Sequence, residues 1–520
     1  MGRQERSVTI AHYKDPAPIA VVHLDETEGS ATDADDSTDS SDTGIHQAPD
    51  IKQFTVLTVA WQIIMLVLYA VWIDYEETND MGIYPYFRDT SIMVFFGFGF
   101  LMSFLRHHGF SSITWTLLFS VMAAEWGILL ELFFIEIDKY DASFDTRRGL
   151  DIHVIIGGLF AAATVMISFG AVLGKVTPCQ LAVLAIVEPF FFHLNIYICA
   201  FKLEAVDVGG GMYIHMFGAV FGLVVCYWLR TTKSHMHEDE SSVYVSDMVS
   251  LAGTLFLWML WPSFNASIAS TEELRMRTVI NTFLSLCGST VATIMWSRIL
   301  SRGNRIDVVH VQNSTLAGGV AMGVIGDLAI YPATAIGCGF VAGTMSTVGY
   351  VYLTPHLHHR YGIQDVCGVV NLHGTPGLWG SLIAVVALIP LSSGTDGVYP
   401  HDSQQPLYQL AATAVSIAMG IVGGLICGVL MNRFIIHCCK DSEMKSEQMF
   451  RDCSYWQTPL GFPHVISTAE QHEHTTNETN RLAGSTTVGS KVGLMPTQTG
   501  PEKIQNSTAG FTSSDHVVTV

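Results

Sequence analysis

The sequence predicts an all-α polytopic membrane protein with about twelve transmembrane helices, and three observations carry that prediction. Of the 520 residues 49% are hydrophobic and only 14% are charged, well below the quarter or so charged in a soluble domain. Much of the chain falls into apolar runs about 20 residues long, enough to cross a hydrocarbon core roughly 30 Å thick. Two distant runs also share one pattern, in a register that reverses their direction across the membrane.

Taken in order, residues 1–50 hold 11 acidic against 3 basic side chains. Rich in Asp, Ser and Thr, they cannot bury enough apolar surface to offset ordering entropy, so a disordered acidic cytoplasmic tail is expected. The net charge of −20 thus owes much to a tail and does not point to a basic partner such as nucleic acid. No signal-peptide pattern precedes the first span. The spans are expected near 54–73, 90–105, 110–135, 150–174, 178–201, 208–229, 247–268, 278–300, 308–326, 330–353, 366–390 and 408–436. They form a transmembrane domain over 51–440, and the 46 glycines suit close helix packing in lipid.

Loop charges set the orientation. With the N-terminus cytoplasmic, the inner loops carry Arg106, Lys175, Arg230, Lys233, Arg298, Arg302, Arg305 and Arg360, and Arg433 and Lys440 follow the last span. The outer loops hold Asp74, Glu76, Glu77 and Asp80, but also Arg147, Arg148, Arg275 and Arg277. The bias is modest and places both termini in the cytoplasm. Residues 441–520 read as a second disordered cytoplasmic tail, whose sequons at Asn477 and Asn506 would not meet the glycosylation machinery. Its end, Val518-Thr519-Val520, offers a PDZ domain or a cytoskeletal adaptor a strand to add. The ten cysteines form no CxxC pair and mostly read as small buried hydrophobes. Cys438 and Cys439, just past the last span, sit where palmitoylation acts.

The repeat locates the candidate site. Residues 207–222 read DVGGGMYIHMFGAVFG and residues 365–380 read DVCGVVNLHGTPGLWG. Asp207, Gly210 and His215 thus match Asp365, Gly368 and His373. They lie in spans six and eleven, and the five-span offset inverts one relative to the other. Two inverted five-helix repeats, plus one N-terminal and one C-terminal helix, account for all twelve. Inverted repeats place function at their interface near the bilayer midplane. At about 1.5 Å per residue, each histidine falls roughly 12 Å from its aspartate. Two midplane histidines are therefore predicted, with one carboxylate towards each face. Glu125, Glu131, Glu188 and His193 also lie inside apolar runs; lacking repeat partners, they read as vestibule or interhelical contacts.

At these residues a family resemblance becomes specific. YPYFRD (84–89), FFGFGFLMSFL (95–105), FGAVLGK (169–175), GTLFLWMLWPSFN (253–265), DVVHVQNSTLAGGVAMG (307–323) and NLHGTPG (371–377) resemble the Rh glycoproteins of the ammonium-transporter superfamily over roughly 54–437. The first span resembles the extra helix that separates Rh proteins from eleven-span relatives. The resemblance implies a plasma-membrane homotrimer, each subunit having its own narrow hydrophobic pore. It matches His215 and His373 to the paired pore histidines and Asp207 to the family's aspartate. Phe264 matches one of two phenylalanines closing the outer mouth, and Phe134, or Phe133, the other. Glu125 and Glu131 stand where Rh relatives usually carry amides, and Ile196 where some carry an acid.

The implied function is ammonia or ammonium transport, not catalysis, with no cofactor and no metal. An ammonium ion entering hydrocarbon costs on the order of 20 kcal/mol by idealised Born accounting, whereas neutral ammonia needs only hydrogen-bond partners. A pair of neutral imidazoles supplies them. Asp207 would either handle the ammonium proton or bond the backbone amides of its glycine turn. Carbon dioxide conduction and ammonium sensing remain open on the same fold. A His-ligated membrane metalloenzyme is the weaker rival, because it needs further ligands at metal spacing and the chain has no HExxH. His356, His358 and His359 read as solvated loop residues.

Overall fold

The computed structural model describes residues 51–76, 81–139, 147–230, 234, 237–393, 399–438 and 444–458. Twelve helices among them are long and apolar enough to cross a membrane: α1 Ile51–Trp72, α2 Tyr84–Phe104, α3 Gly109–Asp138, α4 Ile152–Val172, α5 Pro178–Lys202, α6 Gly211–Trp228, α7 Tyr244–Ala266, α8 Glu272–Leu300, α9 Val308–Ile325, α10 Pro332–Tyr361, α11 Val370–Ser392 and α12 Asp402–Arg433. The chain is thus an all-α polytopic membrane protein. One small element escaped the apolar pattern: Ile73–Tyr75 (β1) pairs in parallel with Arg148–Leu150 (β2), joining the end of α1 to the approach to α4.

Side chains mark where these helices begin. Thr177 and Gln180 form a reciprocal capping box at α5, with Pro178 in the first turn. Asp151 accepts the Val154 N–H at α4, and Thr271 accepts that of Leu274 at α8. Burial separates centre from rim: 83% of the apolar stretch of α4 and of α9 is buried, against 17% for α1. Helix α1 therefore lies at the edge, where the Tyr69 hydroxyl donates to the Glu125 carbonyl and Trp61 meets Trp126 edge-on at 6.1 Å. Helices α8 and α10 approach closely because a Cβ on Gly339 would run into the Ser285 carbonyl.

The repeat is visible in backbone detail. Gly210 and Gly368 both sit at φ +68°, a left-handed conformation that favours glycine. Each is followed by a widened π-helical turn, Gly211–Met216 and Val370–Gly374, which carries the histidine. Such single-turn π-bulges are frequent at functional sites.

One boundary needs correction. The chain past 440 was expected to be a tail without packing, yet residues 444–458 are seated against the loops at one end of the bundle. Phe450 is fully buried and its N–H donates to the Gly174 carbonyl at 2.9 Å. Both Asp452 carboxylate oxygens accept from the start of α3, the Phe110 and Ser111 N–H groups at 2.8 Å each. Trp456 packs on Trp115 at 5.0 Å. The segment holds because Met444, Met449, Phe450 and Trp456 give an otherwise polar stretch enough apolar surface to bury. Asp239 secures the same end: Arg106, His107 and Arg451 converge on it at 2.6–2.8 Å. Burial raises the Asp239 carboxyl, but the hydrogen bonds from Arg106, Arg451 and His107 and the Arg451 charge more than offset it and hold the group below its ordinary range. Residues 1–50 and 459–520, with both sequons and the carboxyl-terminal Val-Thr-Val, lie outside the described residues, as do the side chains of Cys438 and Cys439.

Candidate functional site

The two π-turns meet at the centre of the bundle. His215 and His373 lie with their rings nearly parallel (8°), centroids 5.1 Å apart, and Nδ1 to Nδ1 at 3.1 Å. Both are buried. Only one proton fits between two facing nitrogens, so one ring donates from Nδ1 and the other accepts. In the neutral pair one Nε2 is then a lone pair and the other an N–H. The Nε2 of His215 is buried without a protein partner, a polar atom left for something other than protein.

Each aspartate caps its own π-turn. Asp207 Oδ2 accepts the Met212 and Tyr213 N–H groups at 3.0 and 2.7 Å, while its Oδ1 is buried without a partner. Asp365 divides the task, Oδ1 accepting from Val369 at 2.9 Å and Oδ2 from Val370 at 3.0 Å. Burial pushes both carboxyls up against the pull of these N–H groups, Asp207 to about 8. Each carboxylate thus ties down the start of the turn that carries a histidine.

The surroundings of the pair are apolar and ordered along one line. On the Asp207 side a cavity of about 450 Å³ is walled by Glu131, Asp151, Phe160, Asp207, Tyr213 and Ile214, among others. At its floor Phe160 and Phe264 meet, centroids 4.8 Å apart. Beneath Phe264, at 5.9 Å, comes the His215 ring, flanked by Trp261 at 5.4 Å. His373 follows, then Phe98 at 6.2 Å, and a cavity of about 20 Å³ lined by Met166, Ile167 and Leu372. The rings between the two cavities are apolar apart from the histidine pair, a setting that suits a small neutral molecule. Among the described residues no carboxylate is bonded to either histidine.

The structure sets His215, His373 and Phe264 side by side and puts Asp207 and Asp365 at the starts of the turns that carry the two histidines. It does not place Phe134 with them. That ring contacts Phe133, Phe190 and Tyr197 at 5.4–6.1 Å, between α3 and α5. Glu131 and Ile135 face the cavity, whereas the Phe134 ring is taken up in aromatic contacts with Phe190 and Tyr197 of α5. Phe160 takes the place instead. The available signal was a phenylalanine standing directly before Ala161-Ala162-Ala163 in α4. Trp261 was likewise visible only inside a longer motif. Among the described residues no group of three or more His, Cys, Asp or Glu stands close enough to hold a metal.

Comparison with known proteins places this arrangement. Residues 53–451 match the family model described as Ammonium Transporter Family. Rhesus-like glycoprotein A of Dictyostelium discoideum is 41% identical over 446 residues, covering 80% of this chain and 84% of that protein. Ammonium transporter Rh type B of Xenopus tropicalis is 38% identical, covering 79% and 94%. Among solved structures, Rh50 of Nitrosomonas europaea superposes with a TM-score of 0.65 at 29% identity, over 78% of this chain and all of that one. Candida albicans Mep2, at 18% identity and TM-score 0.59, shares the fold. From the residues matched and the share of each chain covered, this protein belongs to the ammonium transporter family, in its Rh branch.

Proposed function

We propose that this chain passes ammonia across a membrane through the His215–His373 passage, ammonium giving up its proton at the Asp207-side mouth and ammonia being reprotonated beyond His373. Ammonia or ammonium transport is what its family membership entails. The observation that carries it is the Nδ1–Nδ1 hydrogen bond at 3.1 Å enclosed by Trp261, Phe264 and Phe98. One Nε2 donor and one Nε2 acceptor serve a molecule that is itself both donor and acceptor. A bare ammonium ion between the same rings would meet no opposite charge, at a desolvation cost of several kcal/mol or more.

Phe160 and Phe264 act as the closure at the mouth. Asp207 and Asp365 act as caps that hold the two π-turns in place. The loop charges support a cytoplasmic Asp365 side, so the larger cavity faces outward, in the plasma membrane. The family resemblance supports a homotrimer with one such path per subunit. Stopped-flow ammonia entry into proteoliposomes tests the reading: alkalinisation is faster than in protein-free vesicles, and slower again with Phe at both His215 and His373. Equal rates for wild-type and protein-free vesicles would overturn it.

A further inference from the structure

We infer that Glu131, on the wall of the large cavity, and His193, buried beside it, are the groups that take the proton from ammonium before ammonia enters between the phenylalanines. The inference rests on the reading that ammonia, not ammonium, passes the histidines.

His193 is buried in α5, and its Nδ1 lies 2.8 Å from the Pro189 carbonyl oxygen. A carbonyl only accepts, so Nδ1 carries a hydrogen. In the neutral ring Nε2 must then be a lone pair. That nitrogen lies 3.3 Å from Glu131 Oε2, within ion-pair range but off the line of a hydrogen bond. A carboxylate facing a lone pair is repulsive. The contact becomes attractive once it holds one proton, on oxygen or on nitrogen. Without that proton the pair has net charge −1 and an acceptor on each side; with it the pair is neutral.

Position fits the task. Glu131 is part of the cavity wall together with Phe160, the ring at the entrance, and Gly157 opposite leaves it room, since a Cβ there would press on the Glu131 carboxyl. The other charged groups each have a contact of their own through at least one oxygen. On α3 and α5, Glu125 accepts from Gln62 and buried Glu188 is bonded by Ser168. From α4, Asp151 caps its helix and lies 3.3 Å from His153; Asp207 caps its π-turn. The cations at this end belong to other acids, Lys139 and Arg148 to Glu136, and Lys202 to Asp138.

The step balances simply. One N–H bond of ammonium breaks, its electron pair stays on nitrogen, and the proton rests on Glu131 Oε2 or His193 Nε2. The site goes from −1 to neutral and uncharged ammonia moves on. The proton leaves by the same cavity to the solution it came from.

The test is ammonium chloride uptake by full-length protein in proteoliposomes, at external pH of about 6 and about 8.5, on either side of the histidine range. Glu131→Gln and His193→Gln each lower uptake about tenfold at the acid pH, within what a positioned proton acceptor contributes. Both variants stay near wild type at the alkaline pH, where more free ammonia is supplied. Glu131→Asp retains the acid-side rate, as does the exchange of both residues, Glu131→His with His193→Glu. Wild-type rates for both single variants at both pH values would overturn the proposal. So would an equal loss at both pH values in protein that elutes as wild type, because that marks a structural role. A wild-type protein with no flux of its own at the alkaline pH would instead sink the conduction reading.

Discussion

Asparagine at position 365 should destabilise the protein more than asparagine at position 207, although the two carboxyls are equivalent in the repeat. The difference lies in which oxygens work. Asp207 receives both N–H groups on Oδ2 and leaves Oδ1 without a partner. An amide oxygen placed there keeps both bonds, and the NH₂ falls where nothing is bonded. With the carboxyl pushed up to about 8 by burial, the substitution also changes little charge near neutral pH. Asp365 uses one oxygen per N–H, so an amide keeps one bond and sets its NH₂ against the other donor. Losing one bond and stranding a buried N–H costs about 2–4 kcal/mol, against about 1 kcal/mol or less at 207. Purified variants can be ranked by the temperature at which the size-exclusion peak collapses. Asp365→Asn falls well below wild type and Asp207→Asn stays close to it, while Asp207→Ala, which removes both bonds, falls as Asp365→Asn does. Asp207→Asn proving the more damaging of the two would refute the capping assignment.

Three other outcomes are expected. Phe160→Ala and Phe264→Ala each open the mouth and admit methylammonium more readily, measured by radiotracer uptake; Phe134→Ala leaves selectivity alone and costs roughly 3 kcal/mol of stability instead. Transport of neutral ammonia is electroneutral, so solid-supported membrane recordings show no protein-dependent current in an ammonium gradient; a current lost when both His215 and His373 are changed would mean a relayed proton. Asp239 holds Arg106 and Arg451 at full strength only when ionised, and its lowered value means that this hold is full above about pH 4 and fades as the pH falls through the depressed value. Hydrogen exchange at residues 444–458 therefore rises in Asp239→Asn at neutral pH, and in wild type only in acid.

How much of this could be read from the chain depended on periodicity and redundancy. The spans were legible because lipid demands about 20 apolar residues of each, and the histidines because a repeat states them twice. Gly210 and Gly368 were legible for the same reason, and their shared φ of +68° is the physical content of the match. Phe160 was not, because a phenylalanine in an apolar run resembles any lipid-facing one until a neighbour such as Phe264 is found across the helix interface. Glu131 and His193 stood out singly as intramembrane ionisable residues, but they come from α3 and α5, and only packing set them 3.3 Å apart. The seated stretch 444–458 was hidden by polar composition, since its four large apolar side chains follow no helical period.

That stretch bears on how the molecule is made. Helix α3 is among the first to be synthesised, yet the side chain that caps it, Asp452, comes from the end of the described chain. Until translation is nearly complete, the first N–H groups of α3 have only water at the membrane surface. A ribosome product that stops short of Asp452 can hold every span and still lack this closure, worth about 1 kcal/mol for a helix cap. The far end of the chain thus serves as a completion mark, distinguishing a finished bundle from one that merely contains all its helices.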